Sequence, residues 1–119
     1  MADIVLVEDE DVLRRYLAGT LQRLEHSVRA AETAEEGLRF IEEGEPDIVL
    51  SDYRLPGMTG YEVARELRAR GRFDHTVIVA ISGYGQKEDR RKASAVGIDR
   101  YVIKPLDFGS MHQILRWQR

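Results

Sequence analysis

Four short runs rich in β-branched residues, IVLV at 4–7, IVL at 48–50, VIVAI at 77–81 and YVI at 101–103, alternate with longer stretches of helical period. Such alternation is the pattern of successive βαβ units, in which crossover helices join parallel strands. The runs lack polar alternation, so helices should cover both faces of the sheet they form. A weaker run, Ser27 to Ala31, supplies a fifth strand, expected at an edge.

Between the runs, Leu13, Leu17, Leu21 and Leu24 recur at three and four residues, an apolar stripe on a helix from about 11 to 24. Thr33 with Glu36 and Thr59 with Glu62 each fit a capping box, in which hydroxyl and carboxylate satisfy backbone amides at a helix start. They open helices expected to end near Gly44 and Gly71, and further helices are expected over 86–95, stopping at Gly97, and from 107 onward. The order is a βα unit repeated five times, an α/β doubly wound parallel sheet. At 119 residues the chain reads as a single domain over 1–119, large enough to bury roughly two thirds of its unfolded surface without staples.

Composition narrows the chemistry. There is no Cys, which excludes disulfides, zinc ribbons, iron–sulfur sites and thiol catalysis. The 21 acidic and 18 basic residues leave a net charge of −3, no global field for nucleic acid or an anionic membrane. Apolar runs of four or five residues fall far short of the roughly 20 that a membrane span needs. The N-terminus passes straight from a short apolar run into Glu8, Asp9, Glu10 and Asp11, unlike a signal peptide, so a cytoplasmic location is expected.

In an open parallel sheet, ligands collect at the carboxyl ends of the strands. Those ends carry Glu8 and Asp9, then Asp52, then Ser82 and Gly83, then Lys104 and Pro105. Two carboxylates about 4 Å apart repel by ~4 kcal/mol at an effective dielectric of 20, so three need a counter-charge or shifted pKa values. A donor set of oxygens points to a hard dication, Mg2+ or Mn2+. With a metal screening that edge, an aspartate becomes a nucleophile toward a phosphoryl donor, with Ser82 and Lys104 holding the transferred oxygens.

The sequence resembles a response-regulator receiver domain, the phosphoacceptor module of two-component signalling, over nearly its whole length. The resemblance rests on VLVEDE at 5–10, DIVLSDYRLPGMTGYE at 47–62, VIVAISGYG at 77–85 and YVIKP at 101–105, in that order. It implies a flavodoxin-like (βα)5 fold with strand order 2-1-3-4-5. It implies Asp52 as the phosphorylated aspartate, Asp9 and Asp52 as direct Mg2+ ligands, Glu8 as a ligand through water, and the Arg54 backbone carbonyl as the remaining protein ligand. Ser82 and Tyr101 match the switch pair, Lys104 matches the site lysine, and the bond before Pro105 is expected to be cis. Glu8 stands where Asp is commoner and Ser82 where Thr is commoner, each keeping the oxygen required. The resemblance places Arg54, Gly83 and Tyr84 beside the phosphate. The implied partners are a sensor histidine kinase or phosphotransfer protein as donor and a downstream effector protein or domain, with a homodimer as a further possibility. The surface to be remodelled is expected on the fourth helix, fifth strand and fifth helix, including Lys87, Arg90, Arg91, Lys92, Phe108 and Met111. No catalysis beyond self-phosphorylation and slow dephosphorylation is implied.

Taken singly, these residues have ordinary explanations. Acidic residues such as Glu8 and Asp9 suit a helix N-terminus; Lys104 alone reads as a solvated lysine. The basic cluster at 87–92 reads as a solvated helix face without nucleic-acid binding. His26, His75 and His112 lack metal-ligand spacing and read as surface residues. The best rival is a phosphatase of the haloacid-dehalogenase type, but that family places its nucleophile after strand one in a DxD pair, whereas Asp52 follows strand three and Arg54 holds the second position. A flavodoxin is disfavoured by repulsion between Glu8, Asp9, Glu10 and a flavin phosphate. A receiver acting only as an unphosphorylated interaction module ranks low, because every site residue is present.

Overall fold

The computed structural model describes residues 2–52, 59–82, 97–103, 109 and 116. Five strands, β1 (Asp3–Val7), β2 (Ser27–Ala31), β3 (Ile48–Asp52), β4 (Val77–Ser82) and β5 (Arg100–Ile103), form one sheet in the order β2-β1-β3-β4-β5. Every described pairing is parallel. Three helices, α1 (Asp11–Arg23), α2 (Ala34–Gly44) and α3 (Gly60–Arg70), fill the first three crossovers. The helices expected over 86–95 and from 107 lie outside the described residues.

The two-sided burial expected of the apolar runs is present in β1, β3 and β4, whereas Tyr101 and Val102 of β5 are half-buried. Ile4, Leu6, Leu50, Val79 and Ile81 pack with Leu17 and Leu21 of α1 on one face. Val5, Val7, Val49, Ile78 and Ala80 pack with Ala34 and Ile41 of α2 and Val63, Ala64 and Leu67 of α3 on the other. Successive side chains of a strand point to opposite faces, so these runs must be apolar throughout. β2 lies at the edge, and only Ala31 of its five residues is buried.

The caps form as the sequence predicts. Thr33 Oγ1 accepts from the Glu36 amide at 3.1 Å, and Thr59 Oγ1 from the Glu62 amide at 3.2 Å. The return bond of the first box falls one residue earlier than expected, from the Glu32 amide to Glu36 Oε1 at 3.2 Å. The second helix runs through Gly44, and the left-handed residue that ends it is Glu45 (φ 44°). α2 also approaches the sheet closely: a Cβ on Gly37 would stand 2.5 Å from Val7 Cγ2. That contact seats α2 directly behind the end of β1, one residue before Glu8.

Candidate cation site at the carboxyl edge

Register brings the acidic residues together. Val7 of β1 pairs with Ser51 of β3, so Glu8 and Asp52 each stand one step beyond a paired position on adjacent strands. Asp52 in turn pairs with Ile81, the residue before Ser82. One carboxylate oxygen from each of Glu8, Asp9 and Asp52 can be chosen so that all three lie within 4.8 Å of one another. Glu8 is fully buried and Asp52 is 7% exposed, whereas Asp9 is exposed.

Burying carboxylates side by side is costly. At 4.8 Å and an effective dielectric of 20 each pair of unit charges repels by about 3.5 kcal/mol. The donor set consists of oxygens alone, and the group as built fits a hard dication of the Mg2+ class. Asp52 and Asp9 are the donors that exposure leaves nearest to solvent, and Glu8 closes the site from inside.

The turn that carries Glu8 and Asp9 is tied down on both sides of one residue. The Glu8 amide donates to the Ala31 carbonyl at 3.0 Å, continuing the β1–β2 ladder. The Glu8 carbonyl accepts from Arg14 Nη1 at 3.1 Å. Glu8 Oε2 accepts from the Glu10 amide at 3.0 Å, which turns its carboxylate back over the start of α1. Arg14 was not singled out from the sequence, although a basic residue in the first turns of a helix, just after an acidic run, runs against the helix dipole and was the available signal.

Of the other expected site residues, Ser82 is the last residue of β4, so its backbone lies at the same edge. Tyr101 lies on β5, half-buried, and packs against the cluster that includes Val63 and Ile78. Arg54, Gly83, Tyr84, Lys104 and Pro105 lie outside the described residues, as do Lys87, Arg90, Arg91, Lys92, Phe108, Met111 and His112. Of the remaining histidines, His75 is exposed, but His26 is not a plain surface residue. It is half-buried, and its Nδ1 accepts from the Ala2 amide at 2.9 Å. No described helix is long and apolar enough to cross a membrane.

Fold and site together define a doubly wound α/β protein with a cation-competent acidic group at the carboxyl edge of its sheet. Residues 4–116 match the response regulator receiver domain family, and the chain belongs to that family, a signalling rather than metabolic class. Its relatives include the transcriptional regulatory protein AfsQ1 of Streptomyces coelicolor, 35% identical over 89% of this chain and 46% of AfsQ1. The two-component response regulator PhoP of Pseudomonas aeruginosa is 37% identical over 88% of this chain and 46% of its own. The chain thus spans about half the length of the curated relatives it matches. Among solved structures, the Vibrio cholerae chemotaxis protein CheY4 superposes with a TM-score of 0.92 at 26% identity, covering 97% of this chain and 96% of CheY4. The receiver domain of the sensor histidine kinase PA1611 from Pseudomonas aeruginosa, solved with a magnesium ion coordinated in its active-site cleft, gives 0.86 at 29% identity over 96% and 93%.

Proposed function

We propose that this chain is a single receiver domain over 1–119 whose Asp52 accepts a phosphoryl group from a phosphohistidine, on a sensor histidine kinase or phosphotransfer protein, and thereby switches an output. The observation that carries this reading is the convergence of Glu8, Asp9 and Asp52 within 4.8 Å at the strand ends. An Asp52 carboxylate oxygen bonds to phosphorus as the phosphorus–nitrogen bond of the donor breaks, and the departing imidazole takes a proton from solvent. Water later attacks the acyl phosphate, releasing inorganic phosphate and restoring the carboxylate. Asp9 and Asp52 directly, Glu8 through water and the Arg54 carbonyl would hold Mg2+, and the magnesium ion coordinated in the active-site cleft of the PA1611 receiver supports that choice of ion. Bound there, Mg2+ supplies charge neutralisation on the transferring group.

Ser82 and Lys104 hold the phosphoryl oxygens, by hydrogen bond and by point charge. Relative to the carboxylate, the modification adds about one negative charge and three acceptor oxygens. A charge-assisted hydrogen bond of that kind contributes about 1.5–3 kcal/mol, enough to shift a conformational equilibrium about ten- to a hundredfold. Movement of Ser82 toward the phosphate makes room for Tyr101, and the surface around β5 changes for an effector to read. The relatives named as transcriptional regulators point to a transcriptional effector as the reader of that surface.

The test is the intact mass of the protein after incubation with acetyl phosphate, with and without Mg2+, beside Asp52→Asn. A metal-dependent gain of one phosphoryl group, labile to hydroxylamine and absent from the variant, is expected. A gain that persists in Asp52→Asn would assign the phosphoacceptor elsewhere.

A further inference from the structure

Arg14 occupies an unfavourable place for a cation. It closes the first turn of α1, its amide bonded to the Glu10 carbonyl at 2.9 Å, where the helix dipole repels positive charge. Its side chain is nevertheless only 11% exposed. Both terminal nitrogens of its guanidinium are directed at groups around the acidic cluster. Nη1 donates to the Glu8 carbonyl at 3.1 Å, while Nη2 donates to Asp11 Oδ1 at 2.5 Å and to Glu32 Oε1 at 3.3 Å.

The bond to the Glu8 carbonyl matters because that oxygen belongs to the peptide plane joining Glu8 to Asp9. The peptide is planar and rotates as a unit, so holding its oxygen restrains both α-carbons from which the two side chains depart. The other side of Glu8 is fixed by its amide on Ala31, and Arg14 reaches the next residue, Glu32. Glu32 is held in turn at the start of α2 through its amide on Glu36. We infer that Arg14 is a positioning residue for the cation site, clamping the Glu8–Asp9 peptide to the β2–α2 loop so that the carboxylates are pre-arranged for Mg2+; the inference rests on the receiver reading above. Hydrogen bonding to Asp11, together with attraction from Asp11, Glu32 and Glu36, raises the pKa of Arg14 above its ordinary value against the cost of burial, so the clamp is charged at any physiological pH.

Clamping and bare charge predict opposite signs. A positive charge near a cation site repels the metal, so if charge were all that Arg14 supplied, its removal would tighten Mg2+ binding. If Arg14 positions the ligands, its removal weakens binding, and so does Arg14→Lys, which keeps the charge but cannot donate through a planar fork to a carbonyl and two carboxylates at once. Partners that orient metal ligands typically contribute 10- to 100-fold in affinity.

The experiment is calorimetric titration of the full chain with Mg2+ for wild type, Arg14→Ala, Arg14→Lys and Glu32→Gln, with thermal unfolding of each in EDTA. Arg14→Ala and Arg14→Lys are expected to bind Mg2+ about tenfold more weakly, and Glu32→Gln to show a smaller loss in the same direction, at metal-free melting temperatures close to wild type. Tighter binding by Arg14→Ala, or wild-type affinity in Arg14→Lys and Glu32→Gln together, would overturn the inference. Should Arg14→Ala fail to fold, the other two variants decide. A wild-type protein that binds no Mg2+ at all would remove the receiver reading of the site and this inference with it, an outcome distinct from selective loss in the variants.

Discussion

Arg68 Nη2 and Asp99 Oδ2 meet at 2.7 Å across the amino end of the sheet, joining the last turn of α3 to the residue before β5. The same Asp99 oxygen accepts from the Ile78 amide at 2.8 Å. Arg68 also donates to the carbonyls of Gly97, Phe73 and Thr76, at 3.0, 2.7 and 2.9 Å. One guanidinium therefore ties α3, the approach to β4 and the approach to β5. Both side chains are largely buried, 14% and 17% exposed, and removing one partner of such a pair strands the other. Arg68→Ala is expected to cost about 3 kcal/mol in urea unfolding while leaving Mg2+ affinity within a factor of about two, because the pair lies at the edge opposite the acidic group. Equal losses in both quantities would show that the two ends of the sheet are coupled.

Gly97 belongs to the same junction. Its φ of +92° suits glycine, and a Cβ there would stand 2.5 Å from Arg68 Cγ. Gly97→Ala is expected to destabilise by about 2 kcal/mol from backbone strain and crowding. In Arg68→Ala the crowding partner is gone, so the double variant should lose less than the two single losses added. Strict additivity in a denaturant cycle would place the whole cost in the backbone.

At the site, three carboxylates within 4.8 Å repel one another when no metal is bound. Asp52→Asn removes one of those charges and is expected to raise metal-free stability by about 1–2 kcal/mol, a part of the pairwise repulsion. Mg2+ at one hundred times its Kd should add about 2.7 kcal/mol to the wild type and much less to the variant. Thermal melts with and without Mg2+ check both; an Asp52→Asn protein less stable than wild type in EDTA would contradict the account.

His26 predicts a pH dependence of definite sign. Its Nδ1 accepts the Ala2 amide, which requires that nitrogen to be unprotonated. Burial, and then the positive amino terminus, lower its pKa below the ordinary 6.5, with Glu25 pulling weakly the other way. Just below pH 6.5 the unfolded chain therefore binds more protons than the folded one, and stability rises with pH there. The contribution is complete above pH 6.5 and is lost as pH falls from there through the lower folded value. In His26→Asn that component should vanish from a plot of urea midpoint against pH. Parallel plots for the two proteins would remove His26 as its source.

Much of the fold was legible because its determinants are local or periodic. The apolar runs that became β1, β3 and β4 are buried on both faces, and Thr33 and Thr59 announce their helices through partners three residues away. Glu8, Asp9 and Asp52 were legible for a different reason: a carboxylate directly after an apolar strand is placed by the strand itself. What escaped were side chains whose partners are set by the packed loops. Arg68 and Asp99 are separated by 31 positions, and Arg14 and Glu32 by 18, so no window of sequence contains either relation. His26 escaped because its acceptor role depends on the amide of Ala2, which the start of β1 brings beside it.

The weak, exposed β2 strand has a consequence for assembly. An open strand edge offers unpaired amides and carbonyls to any passing chain, and a charged residue on it discourages that pairing. Arg29 stands in the middle of this edge, stacked 4.1 Å over the Phe40 ring and bridged to Glu43 at 3.2 Å. A neighbour adding itself as a sixth strand would have to desolvate that cation or pull it from its carboxylate. The poor hydropathy that made β2 the faintest strand to read thus works as a guard against fibrous growth.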